Sequence, residues 1–295
     1  MKWSVLLLST LSGMTALGQA KFVRPDYSRF YDWFHQQSQV AELYTDRSTL
    51  YIYNASTKVM AQPSWRSTLL AQLELGATVQ NIAYPQELVP MGTRLGYTDM
   101  WFHIKGKKAD GQAFTGYIWG GDIAKGWRFA DLNGDGQNEL LLLGLPSKPR
   151  QSLTDIRAEL RVTQQGKILT YREISGLCLF EDCATSPLLR VFNDPAHPGL
   201  TLIEASTMTI GCDVGIDRAF FYWDGKGLAC AYYGEFTTNK VYRQAPLVVK
   251  DPISGEVLQS CRFSHIDVNF NPVWECQDLQ KPVVAPLPVA SLRAR

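Results

Sequence analysis

The sequence predicts a mainly β protein, and three observations carry that expectation. Short apolar stretches rich in branched and aromatic residues recur from Leu50 to Cys276, and such residues suit a pleated, half-buried surface. Turn-forming pairs, Gln165-Gly166, Asp224-Gly225 and Asn271-Pro272, separate many of them as an antiparallel meander requires. Only one segment, near the start, places aromatic residues at helical spacing. With 295 residues, 45% of them apolar, the chain can bury a sizeable core, and its length suggests about two domains.

Residues 1–20 read as a signal peptide: one positive charge at Lys2, an apolar stretch through Val5, Leu6, Leu7, Leu8 and Leu11, then Gly18 and Ala20 before Lys21. The apolar part is shorter than the roughly 20 residues that cross a bilayer, and no Cys follows the expected cut to carry a lipid. Export to the periplasm or the outside is the expectation, an uncleaved anchor the alternative. No later stretch is long and apolar enough to span a membrane. In residues 21–43, Pro25-Asp26 signals a helix start, and Tyr27, Phe30, Tyr31 and Phe34 follow at helical spacing. This predicts an amphipathic helix from Arg24 to Leu43 that packs on its own domain.

Over residues 44–126 the pattern changes to short strands. Tyr51 and Tyr53 share one face, Leu69, Leu73, Leu75 and Val79 supply a second apolar segment, and Trp101-Phe102-His103-Ile104 begins a third. The order of Leu50 to Asn54, then Leu73-Glu74-Leu75-Gly76-Ala77-Thr78-Val79, then Trp101 to Ile104, then Gly116-Tyr117-Ile118-Trp119 resembles the bacterial SH3-like (SH3b) domain, a small barrel. The stretch from Ala83 to Met100 is longer than that family's usual loop. The resemblance implies binding, to cell-wall peptides or to neighbouring domains of the same chain. Tyr53, Trp101, Tyr117 and Trp119 are the candidates for an aromatic groove, since rigid aromatic surface gives contact area at low entropy cost. Strand alternation turns about half of such residues into the core, so core packing is the competing role for each. Asn54-Ala55-Ser56 fits a glycan acceptor but equally a strand-end turn.

Residues 127–281 form the second unit, and its opening holds the most defined candidate site. From Asp131 to Leu140 the chain reads Asp-Leu-Asn-Gly-Asp-Gly-Gln-Asn-Glu-Leu, with oxygen-bearing side chains at alternate positions and glycines where it folds back. Calcium takes six to eight oxygen ligands, and a tight loop lets such side chains converge on one ion. An EF-hand requires an acid at its twelfth position, where this chain has Leu142. An acid at the ninth position followed by an apolar run resembles the calcium loops of FG-GAP and VCBS repeats in integrin-type β-propellers. That resemblance implies ligation by Asp131, Asn133, Asp135 and Glu139 through side chains and by Gln137 through its carbonyl. The alternative is an Asx-rich turn that satisfies its own amides. Strands are expected at 139–145, 158–163, 167–173, 188–192, 200–210, 219–223, 228–233, 257–268 and 273–276, as a sandwich, an open barrel or a partial propeller. The tail, 282–295, is expected to be disordered.

All six cysteines, Cys178, Cys183, Cys212, Cys230, Cys261 and Cys276, lie in this half, and in an exported chain disulfides are the default. Cys261 with Cys276 is the most arguable pair, across strands turning near Val268 and Asn269; Cys178 with Cys183 would close a small loop. Loss of residues 1–20 removes only Lys2 and leaves 28 basic against 28 acidic residues. Dispersed charges of that balance argue against nucleic-acid binding. His35, His103, His197 and His265 are scattered without metal-ligand spacing, while Asp213, Asp217 and Glu235 near Cys212 are the residues on which a glycoside-cleaving site would rest. The expectation is an exported, non-enzymatic binding or scaffold protein whose partner is a cell-wall peptide, a surface glycan or another exported protein. A carbohydrate hydrolase and a purely structural protein are the alternatives.

Overall fold

The computed structural model describes residues 34, 36–38, 43–82, 90–108, 110–152, 154–180, 185–193, 201–210, 214–223, 227–237, 241–245, 247–250, 257–266 and 272–278. Only the backbone is described at 185, 186, 193, 209, 210, 214 and 215 and, Glu275 apart, from Cys230 on. The expected signal peptide, residues 1–20, and the tail after residue 281 lie outside these residues.

The first sheet is a curled half-barrel built from β1 (Thr49–Tyr51), β2 (Thr57–Met60), β3 (Leu69–Leu73), β4 (Thr78–Asn81), β5 (Met91–Arg94), β6 (Tyr97–Lys107) and β7 (Ala113–Trp119). Its order is β1-β4-β6-β7-β2-β3, with β5 paired onto β6. Alternation decides which side chains face inward. Leu50, Val79, Ile104, Phe114 and Ile118 point into a core completed by Leu43, Ile52, Val59, Leu73 and Phe102. Part of the long stretch expected as a loop is therefore strand: β5 and the start of β6 form a hairpin whose turn puts Leu95 and Gly96 at positive φ, 56° and 79°. Two positive φ values in a row give a turn whose twist matches the paired strands.

A 3-10 turn at Gly120–Asp122 leads into the second unit. There β8 (Gly126–Ala130), β9 (Glu139–Gly144), β10 (Arg157–Gln164) and β11 (Lys167–Ser175) form a four-stranded sheet in the order β11-β10-β9-β8. A five-stranded meander follows: β12 (Thr185–Asn193), β13 (Thr201–Ile210), β14 (Val214–Trp223), β15 (Leu228–Thr237) and β16 (Val241–Ala245). A three-stranded meander comes last, β17 (Leu247–Lys250), β18 (Val257–Ile266) and β19 (Pro272–Asp278). Each of these last three sheets is antiparallel and joins strands adjacent in sequence, as the hairpin turns require, whereas the half-barrel pairs β1 with β4 and β7 with β2 across the chain order.

The leucine run explains how the two units meet. A strand covered on both faces reads as continuously apolar rather than alternating. Leu141, Leu143 and Leu145 join a core with Leu160 and Val162 of β10, Ile203 and Ala205 of β13, and Met60, Tyr97, Trp101 and Trp119 of the half-barrel. Leu142 faces the other way and packs with Tyr53, Leu75 and Ala124.

The amphipathic helix expected over residues 24–43 is not supported: most of it lies outside the described residues, and among those described no helix reaches two turns. Phe34, Gln36 and Gln37 are helical, with Ser38 N donating to Phe34 O at 2.8 Å, and so are Leu43 and Tyr44. Tyr27, Phe30 and Tyr31 lie outside the described residues. Phe34 and Leu43 are nonetheless fully buried, and Tyr44 stacks on Phe102 at 5.9 Å between ring centres. Aromatic side chains lose rotamer freedom against a helix's preceding turn, so their spacing alone is a weak warrant for a long helix.

Candidate functional site

Of the four aromatic residues expected to line a groove, Tyr53, Trp101 and Trp119 are buried, at 0%, 1% and 2% exposure. The two tryptophans lie under Trp65 of the β2–β3 loop, whose ring centre is 4.5 Å from that of Trp101 and 5.8 Å from that of Trp119. Arg94 stands 4.4 Å from the Trp119 ring centre and 5.2 Å from that of Trp65, and ion-pairs with Asp122. Trp119 Nε1 donates to Gly92 O at 2.7 Å. These rings are cemented into the fold.

Tyr53 turns towards the second unit. Its hydroxyl donates to Glu159 O at 2.8 Å and lies 3.2 Å from Glu159 Oε1, and burial holds its phenol well above the ordinary range, so it stays a donor. Arg161 closes the joint: Nη1 donates to Tyr53 O at 2.6 Å, Nε to Glu159 Oε1 at 2.6 Å and Nη2 to Ser147 Oγ at 2.7 Å, with the guanidinium 3.9 Å from the Tyr53 ring centre. The ring needs Gly144 beneath it, since a Cβ there would stand 2.7 Å from the ring carbons.

Tyr117 is the exception. It is half-buried on the outer face of β7, stacked on its cross-strand partner His103 with ring centres 4.7 Å apart and planes at 17°. Burial lowers the His103 pKa, which favours the neutral imidazole. The outer face continues from there. Thr49 pairs with Gln80, Gln80 with Lys105 and Lys105 with Thr115, a polar row across β1, β4, β6 and β7. Thr78, Lys107 and Ala113 extend it, and with Val79, Gly106 and Phe114 these residues line an open groove of about 660 Å³. The sequence signal was the alternation of these polar residues with the core residues Leu50, Val79, Ile104 and Phe114; aromatic content alone pointed elsewhere.

The acidic loop connects β8 to β9, with Ala130 paired to Glu139 across its base. Gly134 and Gly136 take φ values of 75° and 82°, the left-handed conformation the tight path needs. Asp131 accepts from Gly134 N at 2.6 Å and Gly136 N at 3.0 Å, and Asp135 accepts from Gln137 N at 2.7 Å. That amide bond, first among its influences, holds the Asp135 carboxyl below its usual range. Asn133 Oδ1 accepts from Asp135 N, while its Nδ2 lies 3.1 Å from Asp135 Oδ2 and 2.9 Å from Glu139 Oε1. Buried Glu139 also accepts from Leu132 N at 2.7 Å and Gln164 Nε2 at 3.2 Å. The donors are hard oxygens that suit calcium, and two carboxylates converge on one point, but the Asn133 amide nitrogen stands there. Among the described residues no three His, Cys, Asp or Glu side chains are grouped to hold a metal ion.

Cys178 is buried and disulfide-bonded, and the side chains of the other five cysteines lie outside the described residues. The register sets Cys261 opposite Cys276 and Asp217 opposite Glu235; Asp213 lies outside the described residues. No helix among the described residues is long and apolar enough to cross a membrane. No family model, curated protein or solved structure matches this chain, which leaves the groove and the loop to carry its functional reading.

Proposed function

We propose that the chain is an exported, non-enzymatic binding protein that engages a cell-wall or cell-surface component through its half-barrel, in the manner of the SH3-like domains it resembles. The observation that supports this reading is the open groove of about 660 Å³ on the outer face of β1, β4, β6 and β7, bordered by polar side chains and continued by the Tyr117–His103 stack. Concave surface with a few placed polar groups is the usual form of a ligand site. The buried charges at Arg161 and Glu159 are committed to joining the two units, which leaves the groove as the surface for recognition. In this reading the acidic loop holds a calcium ion for structure once Asn133 turns its oxygen inward. Cys261 and Cys276 pair as a cross-strand disulfide that staples the last sheet.

The test is co-sedimentation of the chain with isolated cell-wall material and with cellulose as a neutral control. The expected outcome is enrichment in the wall pellet and loss of that enrichment when Thr115→Trp fills the groove. A chain that stays in the supernatant with every wall preparation is not a surface-binding module. A hydrolase is the second reading, favoured by the Asp217–Glu235 register, since directly opposed strand residues have Cβ atoms about 4.5–5.5 Å apart. Release of reducing ends from a wall glycan, abolished in Asp217→Asn, would replace the first reading.

A further inference from the structure

The groove carries a charge pattern that specifies its ligand more closely. Lys105 and Lys107 stand on the same face of β6, about 6.6 Å apart along the strand, and both are exposed. No described carboxylate pairs with either, and no described group bonds to the hydroxyls of Thr49, Thr78 or Thr115 beside them. The cations of the interior, by contrast, are matched: Lys125 with Asp99, Arg161 with Glu159, and Arg190 and Arg218 with Glu204. Two neighbouring ammonium groups with no counter-charge among the described residues, flanked by hydroxyls with no described partner, make a concave surface suited to an anion.

We infer that this groove binds an acidic polysaccharide strand, with its anionic groups on Lys105 and Lys107, its hydroxyls on the threonine row and a sugar face on the Tyr117–His103 stack. The inference rests on the binding reading above and names the chemistry of the ligand. Three features select a glycan over other polyanions. The groove crosses four strands instead of following one edge, so an extended acidic peptide finds no backbone ladder to join. A single nucleic-acid strand is held by successive bases on several aromatic faces, and this face offers one stacked pair. The hydroxyl and amide lining of Thr49, Thr78, Thr115 and Gln80 matches the hydroxyl-rich surface of a sugar chain.

The experiment is calorimetric titration of the full chain with three acidic oligomers, oligogalacturonate (carboxylate), a heparin hexasaccharide (sulfate) and oligo(glycerol phosphate), beside a neutral dextran oligomer and oligo(dT). The expected result is binding to at least one acidic oligomer, weakened by rising salt and absent with dextran. The three acidic arms tell the anionic groups apart. Lys105→Gln with Lys107→Gln should weaken that binding by about tenfold, as expected for two exposed charge pairs, with unchanged thermal unfolding, and the double arginine variant should retain it. Tighter binding of oligo(dT), equal binding by the glutamine variant, or no binding to any acidic oligomer overturns the inference. Sedimentation with wall material that persists in the glutamine variant would overturn the acidic-ligand inference while leaving the binding reading in place.

Discussion

Glu204 shows how this protein tolerates charge in its interior. It sits on β13, fully buried, and accepts from Arg218 Nε and Ser206 Oγ, both at 2.7 Å, and from Arg190 on the neighbouring strand. Burial by itself would raise its pKa, but the two guanidinium groups and the hydroxyl outweigh that and bring it from 4.5 to about 2. A carboxyl whose pKa is lower in the folded than in the unfolded state contributes stability that is present above pH 4.5 and lost as pH falls towards 2. The shift corresponds to about 3 kcal/mol. Unfolding midpoints followed from neutral pH into that window should fall steeply in the native chain and less so in Glu204→Gln; equal slopes would place the acid-sensitive group elsewhere. Asp99 acts in the opposite sense. Burial raises its carboxyl against the pull of Lys125 at 2.8 Å, so the folded state holds its proton more tightly and this group gains stability on acidification.

At the scale of elements, the β8–β9 hairpin loop is the part whose chemistry can be switched. Its carboxylates are satisfied by its own amides and by Asn133, so the direction of β9 is already set by Glu139 bonding to Leu132, Asn133 and Gln164. Calcium would have to displace the Asn133 amide nitrogen from between Asp135 and Glu139. Calorimetry with calcium should give heat and raise the unfolding midpoint, and Asp131→Ala with Asp135→Ala should abolish both. Absence of heat in the native chain identifies a plain Asx turn. Much of this hairpin was legible in the sequence, because Gly134, Gly136 and the leucine run each impose a local constraint. Of the expected helix only Phe34, Gln36, Gln37 and Leu43 are described as helical, too few to support a long one. The strands β5, β16 and β17 escaped because four or five residues such as Met91–Arg94 carry too little alternation. The aromatic candidates fared unevenly for a different reason. Alternation tells which residues share a face but not which face is covered, and Tyr53 is covered by Glu159 and Arg161, more than one hundred positions downstream.

For the whole molecule, the shared core and the Arg161 joint mean that the half-barrel and the two sheets that follow it stand or fall together. Breaking a buried charge pair from one side costs about 3–5 kcal/mol because it leaves the partner charge unpaired. Arg161→Met should therefore lower the midpoint by on the order of 10 °C and keep a single transition whether read from Trp119 in the half-barrel or from hydrogen exchange of β10 amides. Two separated transitions would show that the units melt independently. The Trp65–Trp101–Trp119 cluster has a practical corollary as well. Cutting the chain near Gly126, where a gene fragment would naturally be trimmed, would not liberate a usable module. It would strip the leucine strand from Met60, Tyr97, Trp101 and Trp119 and give the fragment a greasy wall in place of a seam, so that precipitation on expression would report a severed core and nothing about the ligand.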